Sequence, residues 1–499
     1  MDNTVWMVVV GEVAAVVHSV TIGANLMVNC WGTVLGAKVV SHRTALILGV
    51  ICQSAGALAF GAVKYTVFGD LLQQWTKLES YPRLTAYSLM WIVAVPVVWQ
   101  VLAVWQAVPV PAYLGTVAGT VGAILVFPGA SNMELGKSTP SPPFLTGLGW
   151  DLAVWSIAPT FAVCGCALLY LLLRNMVLRN EDPLHTVLWW LPVVACAVSV
   201  ECVLMLVYSI RSPNGTAAFD ITPQGAVIIA AAVGSAASIA MCLGVPCLSR
   251  RLWHRAAPLV IRMNRLGLDE ATVQELTAED ASPNASGWLH QTCNRLFHTD
   301  MFAHICSSDT LLRIHSIAEQ FDPAAEALFG PFQVVLAAVL SVAYGANTGQ
   351  TTMGIVAMMH VITKSQAVPE TATPGIVLHA IKTAAMLFGA ISWGARLAPV
   401  TGVDLVQMSP FRSYVVMVYV TGTIIFFGAL HEAQPTFSYV IVGSVVAVGL
   451  VEGPLHVNWK LLTKIALWWV AGFVVVMLTT AAVIAQGMYS PSIDSRGAR

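Results

Sequence analysis

Two polar, glycine-flanked segments lie deep inside apolar sequence, one in each half of the chain. The first is Gly23-Ala24-Asn25-Leu26-Met27-Val28-Asn29-Cys30-Trp31-Gly32, and the second is Gly345-Ala346-Asn347-Thr348-Gly349-Gln350-Thr351-Thr352-Met353-Gly354. Both open on Gly-Ala-Asn and close on Gly after the same interval. Glycine is a poor helix former, and side-chain amides are unfavourable in an apolar medium unless bonded. Such pieces are expected where a helix is interrupted. An interruption bares backbone N–H groups at the positive end of the helix dipole, which is a ready anion site. Hydroxyls and amides beside the breaks would complete the shell: Asn25, Asn29 and Thr33 in one half, and Asn347, Thr348, Gln350, Thr351 and Thr352 in the other. One Gly-Ala-Asn alone reads as close helix packing. Two at equal spacing favour a binding site.

A second pair of segments follows in the same order. Pro111-Ala112-Tyr113-Leu114-Gly115-Thr116-Val117-Ala118-Gly119 and Pro435-Thr436-Phe437-Ser438-Tyr439-Val440-Ile441-Val442-Gly443 share Pro and Gly at one interval. Thr436 and Ser438 join the candidate shell. Helix-breaking pieces at corresponding places in two halves are the mark of a transporter whose site lies at the repeat interface.

Positioning these segments falls to a membrane-embedded scaffold. The chain of 499 residues is 57% hydrophobic and 10% charged, with mean hydropathy +0.75, against roughly 25% charged residues in soluble domains. Apolar stretches long enough to span a bilayer fall near 5–25, 44–68, 86–106, 110–130, 150–173, 186–208, 224–248, 328–362 (broken), 374–396, 413–430, 436–451 and 460–487. The expected fold is an all-α polytopic membrane protein of about twelve transmembrane helices, built as two inverted repeats with broken helices. Residues 1–248 form the N-terminal half with its accessory helices, 249–327 a hydrophilic loop, and 328–499 the C-terminal half.

Basic residues gather on the cytoplasmic side. Arg250, Arg251, Arg255, Arg262, Arg265, Arg295 and Arg313 therefore place the central loop inside and the N-terminus outside. The plasma membrane is the default location. A net charge of −1 offers no basic field for nucleic acid. The ten cysteines are scattered without a CxxC pair, and Cys164-Gly-Cys166 reads as helix packing rather than metal binding. No enzymatic activity and no cofactor are expected. The environment is membrane lipid, and a homodimer is compatible with the sequence.

The first repeat and its continuation, Gly32-Thr33-Val34-Leu35-Gly36 and then Arg43-Thr44-Ala45-Leu46-Ile47-Leu48, resemble the inorganic phosphate transporter (PiT) family. That family's signature reads GANDVANAFGTSVG followed by an RQALIL-like segment. Leu169-Tyr170-Leu171-Leu172-Leu173-Arg174, Asp182-Pro183-Leu184, Trp393-Gly394-Ala395-Arg396 and Val442-Gly443-Ser444 extend the match collinearly. The resemblance implies a secondary symporter of inorganic phosphate driven by Na⁺ or H⁺, with phosphate held between the two Gly-Ala-Asn segments and the second repeated elements.

Departures from the pattern fall on charged positions. Leu26 and Thr348 stand where the family has Asp, and Gln53 where it has Glu; the Glu expected near Met417-Val418 is also missing. Na⁺ needs oxygen ligands, preferably with a carboxylate, whereas phosphate keeps its N–H, hydroxyl and amide donors. Gln53, His431 and Glu432 are the candidates for a coupling role, with Glu12, His18, Glu201, His360 and His379 as other ionisable groups within or beside spans. Lys382 could be a counter-charge to phosphate, but reads better as a lysine that snorkels to the interface. Two alternatives remain: a phosphate sensor or receptor of the same fold that does not cycle, and a carrier of another oxyanion or an uncharged solute.

Overall fold

A computed structural model describes residues 5–60, 81–126, 148–209, 221–266, 301–306, 308–348, 350–368, 372, 375–429 and 436–489. Helix α1 (Val5–Leu26) runs into a π segment (Met27–Trp31) and then α2 (Gly32–Gly36), followed by α3 (His42–Phe60) and α4 (Pro82–Trp105). Next come α5 (Ala112–Ile124), α6 (Leu148–Leu173), α7 (Pro183–Ser209) and α8 (Pro223–Leu266). Three short helices, α9 (Met301–Cys306), α10 (Asp309–Ser316) and α11 (Pro323–Ala327), lead to the second half. That half holds α12 (Gly330–Thr348), α13 (Gln350–Ser365), α14 (Ile376–Pro399), α15 (Pro410–Ala429), α16 (Phe437–Glu452) and α17 (Trp459–Tyr489).

Apolar runs that must satisfy their backbone without water form helices. Among the described residues, nine helical stretches are long and apolar enough to cross a membrane, and Tyr113–Ile124 and Phe437–Glu452 are shorter apolar helices. The protein is thus an integral membrane protein. The span expected at 44–68 is helical over His42–Phe60, and its remainder lies outside the described residues.

The two halves interlock by a reciprocal rule. Helix α1 packs on α14 while α12 packs on α3; α1 meets α4 as α12 meets α15; α4 meets α5 as α15 meets α16; and α16 packs on α6 as α5 packs on α17. Each half therefore completes the other. Helix α1 and the α12–α13 pair run antiparallel: Trp31 bonds Ser341, Tyr344 bonds the carbonyl of Ile22, and Glu12 bonds His360. Helices α7 and α8 pack together outside this exchange.

Glycine permits the close crossings. A Cβ on Gly23 would collide with the Met386 backbone, and one on Gly345 with the Gln53 backbone. These first glycines of the two Gly-Ala-Asn segments thus serve one packing role at two equivalent crossings. Gly56 and Gly389 answer them, facing the carbonyls of Val342 and Val20.

The first segment departs from the expected break. Helix α1 continues through Gly23, Ala24 and Asn25, and the irregularity follows as the π segment Met27–Trp31. A π turn lengthens the hydrogen-bond step and re-aims side chains, so polar residues turn inward without opening the helix. The hydroxyl of Thr401 donates to the Val28 carbonyl at 2.8 Å inside this turn. In the second half, α12 ends at Thr348 and α13 begins at Gln350.

Candidate functional site

The π segment places Asn29 at the junction of both halves, with 2% of its surface exposed. Its amide nitrogen donates to the Tyr344 hydroxyl at 3.4 Å, and its carbonyl oxygen accepts from the Ser438 hydroxyl at 3.0 Å. Tyr344 in turn donates to the Ile22 carbonyl at 3.2 Å and meets the Phe437 ring edge-on. One side chain therefore ties α12 and the start of α16 to the first repeat.

One turn earlier, the Asn25 amide nitrogen donates to the Thr21 carbonyl at 2.9 Å, while its carbonyl oxygen is buried without a partner. Thr21 donates to Gln100 of α4 at 2.9 Å. Gln100 lies against Gly115 in the first turn of α5. Both short helices thus begin beside this cluster. Pro111 precedes α5, and Thr436 precedes α16 without capping it through its side chain. The first amides of any helix lack intrahelical partners, and two such ends bring partial positive charge to one place.

Among the described residues, the buried hydroxyls of Thr33, Thr116, Thr352, Thr436 and Ser444 have no hydrogen-bond partner. A buried polar group without a partner costs about 1–3 kcal/mol. Of these, Thr436 directly precedes α16 and Thr116 lies in the first half of α5, and hydroxyls near helix N-termini are suited to an oxyanion, which accepts many hydrogen bonds at once.

Of the residues singled out from sequence, Asn29 and Ser438 are in direct contact; Asn25 at the end of α1 and Thr33 on α2 flank the π segment, and Thr436 directly precedes α16. Thr352 is buried on α13, and Asn347 is partly exposed at the end of α12. The side chains of Thr348, Gln350 and Thr351 lie outside the described residues, as do His431 and Glu432. Gln53 is wholly buried, with neither amide atom bonded among the described residues. The reciprocal crossings pair it with Met386, as both backbones receive the first glycine of a repeat segment.

Sequence reasoning missed Tyr344, Thr21 and Gln100. Tyr344 carried a signal, since it directly precedes the second Gly-Ala-Asn. Gln100 carried none beyond being a polar residue in an apolar span. Lys382 was misjudged: it does not snorkel, but lies on α14 with 1% of its surface exposed.

The comparisons agree with this architecture. A model of the phosphate transporter family matches residues 22–480. The chain is 20% identical to the phosphate-repressible phosphate permease pho-4 of Neurospora crassa, over 93% of this chain and 94% of that protein. It is 30% identical to sodium-dependent phosphate transporter 2 of Homo sapiens, over 42% of this chain and 30% of that protein. Sodium-dependent phosphate transporter 1 of Mus musculus matches at 28% identity, again over only 28% of its length. A solved structure titled "The sodium-dependent phosphate transporter" superposes with a TM-score of 0.63 at 17% identity, covering 96% of this chain and 98% of that one, so the fold is shared.

Proposed function

The chain belongs to the phosphate transporter family, whose members are not enzymes, and from that premise we propose that it carries inorganic phosphate across a membrane by alternating access. Phosphate is held between the Asn25–Asn29 face of the first repeat and the N-termini of α5 and α16. One observation carries this reading: Asn29 bonds both Tyr344 and Ser438 across the two interlocked halves. A site made from both halves loosens when they rock apart, which is what alternating access requires.

The coupling cation is H⁺ or Na⁺, and no other cofactor is needed. The described part of the site is built from amides and hydroxyls, with Leu26 and Gln53 where the family pattern has carboxylates. That composition favours anion binding over sodium binding. We assign the protein to the plasma membrane, with the central hydrophilic segment cytoplasmic and the N-terminus outside.

Uptake of labelled phosphate into proteoliposomes, under separate Na⁺ and pH gradients, tests the proposal. Phosphate-dependent uptake is expected, and the gradient that accelerates it identifies the coupling ion. A second reading, a phosphate receptor that binds without cycling, draws on the same missing carboxylates. Binding without uptake would favour it. Uptake of another oxyanion with none of phosphate would overturn the substrate assignment.

A further inference from the structure

Lys382 is a buried lysine that no described carboxylate contacts. Among the described residues its side-chain nitrogen has no hydrogen-bond partner, although the side chain is almost wholly enclosed. A buried charge is tolerated when it is paired or hydrogen-bonded, so its surroundings matter.

Three further buried polar side chains with unbonded polar atoms share its layer. His18 on α1 is fully buried, with neither ring nitrogen bonded among the described residues, and the crossings of Gly23 with Met386 and of Gly389 with Val20 bring this part of α1 alongside Lys382 on α14. Thr352 on α13 lies at the level of His18: Glu12 meets His360 in the antiparallel α1–α13 contact, and moving about two turns along each helix in opposite senses reaches His18 and Thr352–Met353. Gln53 borders the same layer. His379 bonds the Ala57 carbonyl of α3, while Met386 and Gln53 both sit at the glycine crossings beside Ile22 and Tyr344. Lys382 lies between these levels, one turn, or about 6 Å, before Met386. The carboxylate of Glu12 is already committed to His360 at 2.7 Å.

We propose that Lys382, with Thr352, Gln53 and His18, holds the phosphate oxyanion on its path beside the Asn25–Asn29 cluster, as a tethered cationic donor. The inference rests on phosphate being the substrate. Lysine supplies three donors on a flexible stem, threonine a hydroxyl donor and the glutamine two amide hydrogens. Together they match an anion and offer no carboxylate to a metal cation. Phosphate binding should therefore need no sodium.

The test titrates the purified full-length protein with choline phosphate and with sodium phosphate at constant ionic strength, reading the thermal midpoint. Wild type is expected to be stabilised equally by both salts. Lys382→Met should weaken phosphate binding about tenfold or more, the loss of a charged hydrogen bond, while Lys382→Arg retains most of it. Folding of Lys382→Met is not at risk, because the substitution removes an unpaired buried charge. Phosphate binding by Lys382→Met equal to wild type, or wild-type binding that requires sodium, would overturn the assignment and leave the phosphate reading intact. Stabilisation by sulfate but not phosphate, lost in Lys382→Met, would support the cationic site and overturn the substrate reading. No stabilisation by any oxyanion would overturn the site, with proteoliposome uptake deciding the substrate separately.

Discussion

The hydroxyl of Tyr344 donates to the backbone carbonyl of Ile22, and each residue directly precedes a Gly-Ala-Asn segment, 322 positions apart. The two repeats thus meet at their own equivalent points, so the contact lies close to the axis relating the halves. Tyr344→Phe removes this bond and the hydroxyl that accepts from the Asn29 amide, while keeping the ring packed on Phe437. We expect a loss of about 1–2 kcal/mol and lower phosphate affinity, read as a reduced thermal midpoint and a smaller phosphate-induced shift.

Asn29→Ala and Ser438→Ala each remove one partner of a buried pair. Uptake should fall at least about tenfold in each, as for a buried donor or acceptor left unpaired, with surface expression maintained. The double variant should be little worse than either single one, because the two side chains act on one bond. Additive losses would place them at separate sites.

Gly23→Ala and Gly345→Ala test the reciprocal packing directly. Each new methyl meets a backbone, of Met386 and of Gln53 respectively, which cannot yield as a side-chain tip can. Each should destabilise the protein by about 1–3 kcal/mol, and by similar amounts, as measured by thermal unfolding in detergent. A tolerated Gly345→Ala beside a damaging Gly23→Ala would break the equivalence.

Arg412 and Glu452 form an ion pair that is 1% and 3% exposed. Tyr170 donates to the same carboxylate, and Arg412 also donates to Gln407 and to the Glu319 carbonyl. Removing one partner leaves an uncompensated buried charge, so Arg412→Met should cost about 3–5 kcal/mol. Adding Glu452→Leu should restore part of that loss, and a double-mutant thermal cycle would measure the restoration.

The segment at residues 301–316 is clamped by two histidines. His304 bonds the Asp404 carboxylate at 2.7 Å, and that bond holds its pKa above the usual 6.5. The clamp is therefore at full strength below about pH 6.5 and weakens as pH rises through the higher folded-state value. Burial instead pushes His315 below 6.5, which suits a neutral ring donating to the Val403 carbonyl. Hydrogen-exchange protection over residues 301–306 and 308–316, taken relative to the intrinsic rate at each pH, should fall between pH 6 and 8, a range that brackets the histidine pKa of roughly 6.5. Asp404→Asn should remove most of that dependence. Because His304 is 41% exposed, solvent screens the pair and the change should be local.

Much of the architecture was legible in the amino-acid order. Apolar runs of membrane length, the paired Gly-Ala-Asn segments and the paired Pro–Gly segments sufficed for an all-helical membrane protein of two related halves, because each of these is a local pattern. The halves' interlocking was beyond that reach. Nothing local in Gly23 says that its partner is Met386, or in Gly345 that its partner is Gln53. The same limit explains the first segment: glycine and asparagine mark where helix geometry can deviate, but neighbouring helices decide whether it breaks or merely winds into a π turn.

Residue types alone determined the solvent, the helices and the polar chemistry available to an anion, since burial cost and backbone satisfaction depend on composition over short windows. Which polar groups converge was decided only by tertiary packing. Asn29 reaches Ser438 across 409 positions of chain, and Lys382 lies sealed on α14 rather than reaching the interface. A side chain's cost or use is set by what surrounds it in space, and in this fold those surroundings come from the opposite half.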